Sequence, residues 1–537
     1  MLNFIKRIPA RIYIALSGIL LGFTLLFTNI GFLAFLVMIP LAMMIYRRAN
    51  AERYKVGKAY LDGFIFYMSF GVVIFHWFAY FYPLEFAGLS SGEAILVIAL
   101  AWIGLSALQA AFSAFVFVLI SRFTKTQLYK NHPILLAPYA AMLWAVNEWM
   151  QTLTWAGVPW GRIAISQTAM PIMMQQASLF GSYFLTFIIV LINFLVAYAI
   201  LFADKRKMAA KVALVVLGAH ILCGTVLYLI PAKDEDRSIK VASLQGNFES
   251  QLTYDLSLET IFVRYEELTQ RAAQDGAKLI IWPEGALAVD IYSKIFIKGE
   301  GLVKISDAVS NLATSLDVTI VIGTYIDETK TEYYNSVSAF YPDGTSHIKA
   351  YTKMKLVPFG EYMPMREILS TLIPPLAEIN MLDGDVSFGK EATVFNATNE
   401  ENAIKVGTLI CFDGIYERIA LESARAGAQM LIVPSDDSWF YDSRAMHMHH
   451  SQNILRAVEQ GKYNVTCGNT GVTSVINDKG AIINSMPICE QGYVIDTVYA
   501  VSSRTLYSYI GNLFVYLCIA AAFVPFVHNI WYKKKQK

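Results

Sequence analysis

A thiol, a carboxylate and an ammonium, each just after a stretch that reads as a β-strand, are the residues in this chain best suited to covalent chemistry. Cys411 follows Lys405–Ile410 in Gly-Thr-Leu-Ile-Cys-Phe-Asp, Glu284 follows Ala277–Trp282 in Ile-Ile-Trp-Pro-Glu-Gly, and Lys353 follows a hairpin strand ending at Tyr351. Strand ends in α/β sheets are rigid platforms that aim side chains into a crevice. A thiol becomes a strong nucleophile when a base takes its proton or a nearby cation favours thiolate. A carboxylate supplies the base, and an ammonium holds the thiolate and then the oxyanion of a tetrahedral intermediate. Each residue alone has a plainer reading: Cys411 as an inert small hydrophobe, Glu284 as a helix N-cap, Lys353 as a solvated surface lysine. The functional reading rests on the three together.

The elements that must position them fall in two textures. The chain has 537 residues, 55% hydrophobic and 16% charged, with a formal net charge of +1, and its mean hydropathy is +0.45. So little charge points to membrane spans, and the balanced charge argues against an electrostatic nucleic-acid binder. Apolar runs near Arg11–Phe27, Ile30–Tyr46, Ala59–Tyr82, Ala94–Ile120, Ile134–Leu153, Ser178–Phe202, Ala209–Ile230 and Tyr509–Trp531 predict eight spans, each near the roughly 20 residues that a spanning helix needs. Lys and Arg gather in every second loop: Lys6, Arg7 and Arg11; Arg47 to Lys58; Arg122 to Lys130; Lys205 to Lys211; Lys533 to Lys535. The positive-inside rule then puts both termini in the cytoplasm and the long segment after the seventh run outside it. The N-terminus lacks the small-residue cleavage site of a removable signal peptide.

That long segment alternates strand and helix patterns. Ile239–Leu244 reads as a buried strand and Leu258–Ala273 as a helix; Asn311–Leu316 and Val318–Gly323 repeat the pair. Val337–Tyr341 and Ile348–Tyr351 flank the turn Pro342-Asp343-Gly344, and Val472–Asn477 and Ala481–Ile483 flank Asp478-Lys479-Gly480. Lys405–Ile410, Ile415–Ala426 and Met430–Val433 give strand, helix, strand, and Gln452–Gly461 is helical. The pattern predicts a layered α/β domain. The expected domains are 1–232 (membrane), 233–502 (extracytoplasmic) and 503–537 (a last span and basic tail).

The segment resembles the carbon–nitrogen hydrolase (nitrilase) superfamily, and the whole chain resembles the apolipoprotein N-acyltransferases. The strings that carry the resemblance are Val-Ala-Ser-Leu-Gln-Gly-Asn (241–247), Ile-Trp-Pro-Glu (281–284), Tyr-Tyr-Asn-Ser (333–336), Lys-x-x-Leu-Val-Pro-Phe-Gly-Glu (353–361), Leu-Ile-Cys (409–411), Trp-Phe (439–440), Arg-Ala-Val-Glu (456–459) and Asn-Thr-Gly-Val-Thr (469–473), with Gly157-Val-Pro-Trp160 and Gly511-Asn512 in the apolar parts. The resemblance implies an α-β-β-α sandwich with Cys411 as nucleophile, Glu284 as general base, Lys353 as oxyanion stabiliser and Glu361 as a supporting glutamate. It implies no metal or cofactor. It also implies a ping-pong reaction in the bacterial cytoplasmic membrane, from a phospholipid acyl donor through a thioester to the N-terminal amine of a diacylglyceryl-cysteine lipoprotein. Phe359, Trp439 and Phe440 fall in the matched strings, and Phe412 is the aromatic that follows the family nucleophile; the resemblance makes all four substrate-side residues. Departures are Asp413 in place of the family glutamate, Tyr254 in place of a tryptophan and Tyr441 in place of a glycine.

Other features carry less. Phe359–Ile379 is apolar and proline-interrupted, and reads either as an interfacial arm that admits lipid or as an ordinary packed loop. His447, His449 and His450 lack the partner set of a metal site and read as the approach to the helix from Gln452. Spacing leaves a Cys467–Cys489 disulfide open. Arg162 and Glu148 flank the fifth run, where intramembrane charges are functional or paired, with Arg162 a candidate for lipid phosphate at the outer interface. The alternatives are a membrane-tethered amidase using the same three groups, a silent scaffold, and a transporter. The apolar runs favour a lipid substrate over a soluble amide, the intact triad speaks against a scaffold, and the scarcity of charge in the runs speaks against a transporter.

Overall fold

The computed structural model describes residues 9–51, 54–84, 89–231, 237–248, 256–299, 301–329, 332–372 and 385–536. Two compact units emerge. One holds the N-terminal helices through Ile230 and the segment Ile510–Lys537; the other is essentially Pro231–Tyr509.

In the helical unit, five helical stretches among the described residues are long and apolar enough to cross a membrane: Thr28–Asn50, Ser91–Phe123, Ser182–Leu201, Ala203–Leu229 and Leu513–Lys535. The other apolar runs fold as shorter helices, Ala10–Leu26, Val56–Ile74 and Leu136–Met150. Several expected runs are broken. Ala59–Tyr82 stops being α-helical at Ile74 and continues as a 3-10 turn, His76–Phe81. The run from Ser178 is interrupted at Gly181, whose φ of 80° ends one short helix before Ser182–Leu201 begins. Ala10–Leu26 lies against Val56–Ile74 through Gly18 and Gly22: a Cβ at Gly18 would sit 2.5 Å from Phe66 O, and one at Gly22 2.7 Å from Val73 Cγ1. Small residues four apart permit this close approach. Leu513–Gln536 packs on its neighbours through Trp149 and Tyr516 (ring centroids 5.6 Å) and through Phe184 and Phe514 (5.2 Å).

The second unit is a two-sheet sandwich. One sheet runs β15(Gly492–Tyr499)-β1(Ser238–Gln245)-β2(Leu279–Ile281)-β6(Thr319–Thr329)-β7(Glu332–Phe340)-β8(Ser346–Thr352), with β3(Leu287–Asp290) also pairing β6. The other runs β14(Ile482–Ser485)-β13(Ser474–Ile476)-β12(Asn464–Gly468)-β11(Met430–Ser435)-β10(Lys405–Thr408)-β9(Val394–Asn396). A hairpin of β4(Lys294–Ile297) and β5(Gly301–Lys304) stands apart. The central strands of each sheet are parallel, β1-β2-β6 in one and β10-β11-β12 in the other. They are buried over most of their length, with exposed positions at the ends of β1, β6 and β10 and at Lys240, as parallel strands covered on both faces tend to be. The sheets face each other closely enough that Cys467 Sγ on β12 lies 3.2 Å from the carbonyl oxygens of Leu244 on β1 and Ile281 on β2.

Helices α1 (Leu258–Gln274) and α2 (Ile305–Leu316) cover the first sheet, and α3 (Glu417–Arg425) and α4 (Arg444–Gln460) the second. The α1 face is fixed by Phe262, Tyr265 and Leu268, whose spacing puts them on one stripe. Tyr265 stacks on Trp282 at 4.9 Å, and the Trp282 indole donates to Thr269 Oγ1 at 3.0 Å. This anchors the chain two residues before Glu284. The architecture is an α-β-β-α sandwich and a helical unit with several span-length apolar helices. Helix α4 begins at Arg444, two turns before the expected start at Gln452, so the three histidines lie inside it.

Candidate active site

Four strand ends converge. Glu284 follows β2, Lys353 follows β8, Cys411 follows β10, and Asp436 and Asp437 follow β11. Lys353 is 1% exposed, Glu284 7% and Glu361 9%, so the ammonium and both carboxylates are effectively out of water. Lys353 Nζ donates to Glu284 Oε1 at 2.7 Å and to Glu361 Oε1 at 3.0 Å. Asn335 Nδ2 donates to the same two oxygens, at 2.8 and 2.9 Å. The second oxygens are met by backbone: Asp436 N–H reaches Glu284 Oε2 at 3.0 Å, and Val357 N–H reaches Glu361 Oε2 at 2.8 Å. A buried ion pair is stable when its remaining lone pairs find donors in this way.

Two glycines permit the approach. A Cβ at Gly323 on β6 would fall 2.5 Å from Pro283 O and 2.7 Å from Glu284 Cα. A Cβ at Gly389 would fall 2.3 Å from Thr352 O, while Gly389 N–H donates to Lys353 O at 2.8 Å.

Charge states follow from these contacts. Burial works against the Glu284 carboxylate, but Lys353 with the Asp436 and Asn335 donors holds its pKa below the ordinary value. Burial likewise opposes the Lys353 ammonium, yet Glu284, Glu361 and Cys411 hold its pKa well above the ordinary value. Burial and the negative charge of Glu284 push the Cys411 thiol up, with Lys353 opposing. At rest the site therefore holds a neutral thiol, an ionised carboxylate and a charged ammonium. Such an arrangement can couple sulfur attack to proton loss, with a fixed cation to receive the developing oxyanion.

Cys411 opens a 3-10 turn, Cys411–Ile415, with φ of 47°. A non-glycine residue with positive φ is uncommon and clusters at functional sites. Asp413, fully buried, ties this turn to the lysine strand. Tyr351 OH donates to Asp413 Oδ2 at 2.7 Å and Ile410 N–H at 3.1 Å; Lys355 N–H and Met354 N–H donate to Oδ1 at 2.7 and 3.2 Å. Burial pushes the Asp413 carboxyl up to about 7, against the Tyr351, Lys355 and Ile410 donors and the charge of Lys353. The shorter aspartate thus fills a complete acceptor role between the two elements.

Phe412 packs edge-on to Tyr416 at 5.5 Å. Phe359, six residues after Lys353, is 42% exposed with φ of 65°. Trp439 and Phe440 form a 3-10 turn, Ser438–Phe440, and Tyr441 after it has φ 49°, ψ −138°, which glycine adopts freely and tyrosine does not. Tyr254 lies outside the described residues, as does part of the candidate arm, 373–384.

Two expectations need correction, and one open question is answered. Arg162 is not at an interface: it is 1% exposed, donates to Ser182 Oγ at 3.0 Å and Tyr183 OH at 3.2 Å, and lies 4.7 Å from the Tyr183 ring centre. The preference for exposing an arginine loses here to a hydroxyl and aromatic cradle on Ser182–Leu201. On the pairing that spacing left open, Cys467 is buried between the sheets with its Sγ against the carbonyl oxygens of Leu244 and Ile281, while Cys489 is exposed. The histidines do not merely approach a helix: His449 reaches the nucleophile's backbone, with Nε2 3.0 Å from Cys411 O.

A family model described as carbon-nitrogen hydrolase matches residues 240–504, and one described as apolipoprotein N-acyltransferase N-terminal domain matches residues 17–195. The apolipoprotein N-acyltransferase of Geobacter metallireducens is 26% identical over 530 residues, covering 96% of this chain and 95% of that protein. That of Gloeobacter violaceus is 26% identical over 519 residues, covering 95% and 92%. The chain belongs to the apolipoprotein N-acyltransferase family. Among solved structures, Saccharomyces cerevisiae Nit3, a member of branch 10 of the nitrilase superfamily, is 22% identical with a TM-score of 0.35, covering 51% of this chain and 93% of its own. With its span-length helices and bacterial relatives, this family member is a bacterial membrane protein.

Asn335, Asp436, Asp437 and His449 join the site without having been singled out as site residues in the sequence. Asn335 sits in the Tyr-Tyr-Asn-Ser string and follows the alternation of β7, so its inward face was readable once the strand was placed. Cys411, Asp437 and His449 offer ligand-type atoms within 4.8 Å of one another. As a metal set they fit poorly, because both imidazole nitrogens of His449 are engaged with oxygen acceptors, Asp437 Oδ1 and Cys411 O.

Proposed function

We propose that the chain is a phospholipid:lipoprotein N-acyltransferase working by ping-pong acyl transfer. Cys411 Sγ attacks the carbonyl carbon of a phospholipid ester while its proton passes to Glu284. Lys353 stabilises the tetrahedral oxyanion. As that collapses, the lysophospholipid alkoxide takes the proton from Glu284 and leaves, and a thioester remains on Cys411. The α-amine of a diacylglyceryl-cysteine then attacks the thioester and loses a proton to Glu284; as the C–S bond breaks, Glu284 returns that proton to the Cys411 sulfur, and the acylated product departs as an amide. Glu361 and Asn335 hold Lys353 and Glu284 in register. Phe359, Phe412, Trp439 and Phe440 contribute apolar surface to the acyl chain.

The observation that carries this reading is the Glu284–Lys353–Glu361 cluster beside Cys411 in a chain that also has span-length apolar helices. An interfacial donor needs that combination, and a thioester survives only where water is excluded. Relatives named apolipoprotein N-acyltransferase across nearly the full length support the acceptor class. The alternation of Lys and Arg between loops supports cytoplasmic termini and an extracytoplasmic catalytic domain, bounded near 233 and 502.

The test is intact mass spectrometry of the purified protein after incubation with phospholipid, wild type beside Cys411→Ala. A hydroxylamine-sensitive acyl adduct on the wild type alone is expected, transferable to a diacylated lipopeptide. No adduct on either form, with donor present, would reject the lipid reading.

A further inference from the structure

His449 sits in a position that the reaction above does not use. It is 2% exposed on α4 and fully hydrogen-bonded. Its Nδ1 lies 2.8 Å from Asp437 Oδ1, and its Nε2 lies 3.0 Å from the carbonyl oxygen of Cys411. A backbone carbonyl accepts only, and an ionised carboxylate accepts only. A neutral imidazole has one donor and one lone pair, so it cannot satisfy both contacts. An imidazolium has two donors and satisfies both.

We propose that His449 is a positioning residue held as an imidazolium between Asp437 and the Cys411 carbonyl, clamping the nucleophile in its left-handed conformation and placing a fixed positive charge beside it.

Three further observations carry the inference. Cys411 holds φ of 47°, a conformation that persists only when its surroundings over-determine it, and the His449 contact to its own carbonyl is such a constraint. Asp437 is seated by an absent side chain: a Cβ at Gly471, in the Asn-Thr-Gly-Val-Thr string, would lie 2.4 Å from Asp437 Oδ2. The surrounding charges agree in sign. From the loop after β2, Glu284 acts on His449, and from the loop after β11, Asp437 does; His447 and His450 share its own helix. Lys353 and Glu361 act on the Cys411 side. Burial opposes the charge, but Asp437, the Cys411 carbonyl and Glu284 raise the His449 pKa overall.

The clamp makes a specific demand on pH. A group whose pKa is raised keeps its proton below that pKa and loses it as pH rises through it. The clamp is therefore intact below the raised pKa and releases as pH rises through it. Removing the Asp437 charge moves the release to lower pH.

The role in acyl transfer rests on Cys411 being the nucleophile; the protonation state does not, and the two are tested separately. Full-length protein labelled with 15N-histidine and held in lipid nanodiscs gives imidazole nitrogen resonances, with that of His449 identified by its loss in His449→Gln. Both nitrogens are expected to be protonated at neutral pH and above the ordinary histidine pKa of about 6.5. Either nitrogen unprotonated, Nε2 in a neutral ring that donates to Asp437 or Nδ1 where the proton resides on Asp437, would overturn the proposal. This measurement uses the wild type, so it stands even where a variant fails to fold; the Asp437→Asn shift then supplies the assignment.

The kinetic arm follows adduct formation on Cys411. Asp437→Asn is expected to move the alkaline fall in rate down by about one pH unit or more. His449→Gln keeps a donor for the Cys411 carbonyl but no charge, and is expected to slow the adduct on the order of a hundredfold. A wild-type rate in His449→Gln, or an unmoved profile in Asp437→Asn, would overturn the charge's role. Absence of any adduct in the wild type with a doubly protonated His449 would instead reject the acyltransfer reading and leave the clamp standing.

Discussion

The two units bury charge in different company. In the sandwich, Lys353 is shared by Glu284 and Glu361, and the remaining carboxylate oxygens are met by backbone N–H groups of loops. In the helical unit, Glu148 accepts from Thr186 Oγ1 at 2.7 Å and from Ile163 N–H at 2.8 Å, and Arg162 rests on Ser182 and Tyr183. The contrast follows from where free backbone donors exist. A helix interior has already used its N–H groups, so a buried charge there must be met by side chains or by the start of an irregular turn. Ile163 opens the 3-10 turn Ile163–Gln167 and supplies that donor. Strand ends leave loops whose N–H groups are free to converge. A multi-donor ionic site is therefore cheaper to build at the end of a sheet than inside a helix bundle.

The sharpest way to break this comparison is to remove the shared cation. Lys353→Met leaves two carboxylates facing each other without it, and a broken buried pair costs about 3–5 kcal/mol. Chemical denaturation should show that loss, with the Cys411 adduct abolished. A stability loss below about 1 kcal/mol would mean that the backbone donors alone hold Glu284 and Glu361. The next test keeps all charges and shifts their frame. Gly323→Ala forces its Cβ against the Pro283–Glu284 backbone, and overpacking of this kind costs about 1–3 kcal/mol. The expected signature is a larger fall in adduct rate than in stability, since Glu284 moves while the sheet survives.

How much of this was legible in the sequence divides along the same line. Glu284, Lys353 and Cys411 were readable because each ends an apolar strand run, and the β7–β8 turn was readable from Pro-Asp-Gly. His449 was not. Its helix starts with Arg, Ala, Met and three histidines, residues whose propensities do not mark a boundary, so the start appeared two turns late. Asp437 was hidden because β11 runs through Pro434 to Ser435, where proline signals a strand's end. Short buried strands such as β12, Asn-Val-Thr-Cys-Gly, drew no assignment from the sequence, because burial rather than composition makes them strands. In the helical unit the apolar runs were readable by length alone, but not their breaks at Ile74 and Gly181. Long-range packing decides those, and hydropathy does not report it.

A third substitution sharpens the contrast from the helical side. Glu148→Gln keeps one acceptor oxygen and turns the other into a donor, so one of the Ile163 and Thr186 contacts is lost. The expected loss is about 1 kcal/mol, read as a modest fall in melting temperature in detergent. A loss as large as that of Lys353→Met would mean that the helical unit depends on the Glu148 carboxylate as strongly as the sandwich does on its own ionic cluster.

The smallest effect concerns backbone and not charge. Tyr441 follows the turn carrying Trp439 and Phe440, with its N–H bonded to Ser438 O at 3.1 Å and its φ at 49°. Holding a tyrosine there stores about 1–3 kcal/mol of strain, while a glycine would add about 0.5–1 kcal/mol of unfolded-state entropy. Tyr441→Gly should therefore stabilise the sandwich by about 1 kcal/mol, visible as a small rise in melting temperature. If the variant is instead less stable, the tyrosine side chain contributes more contact than its backbone stores in strain, and the strain is retained for what the ring touches. A stabilised variant with a slower Cys411 adduct would mean that the strained backbone holds Trp439 and Phe440 in their working position, so that the turn, like the elbow at Cys411, is kept out of its relaxed form by the site it serves.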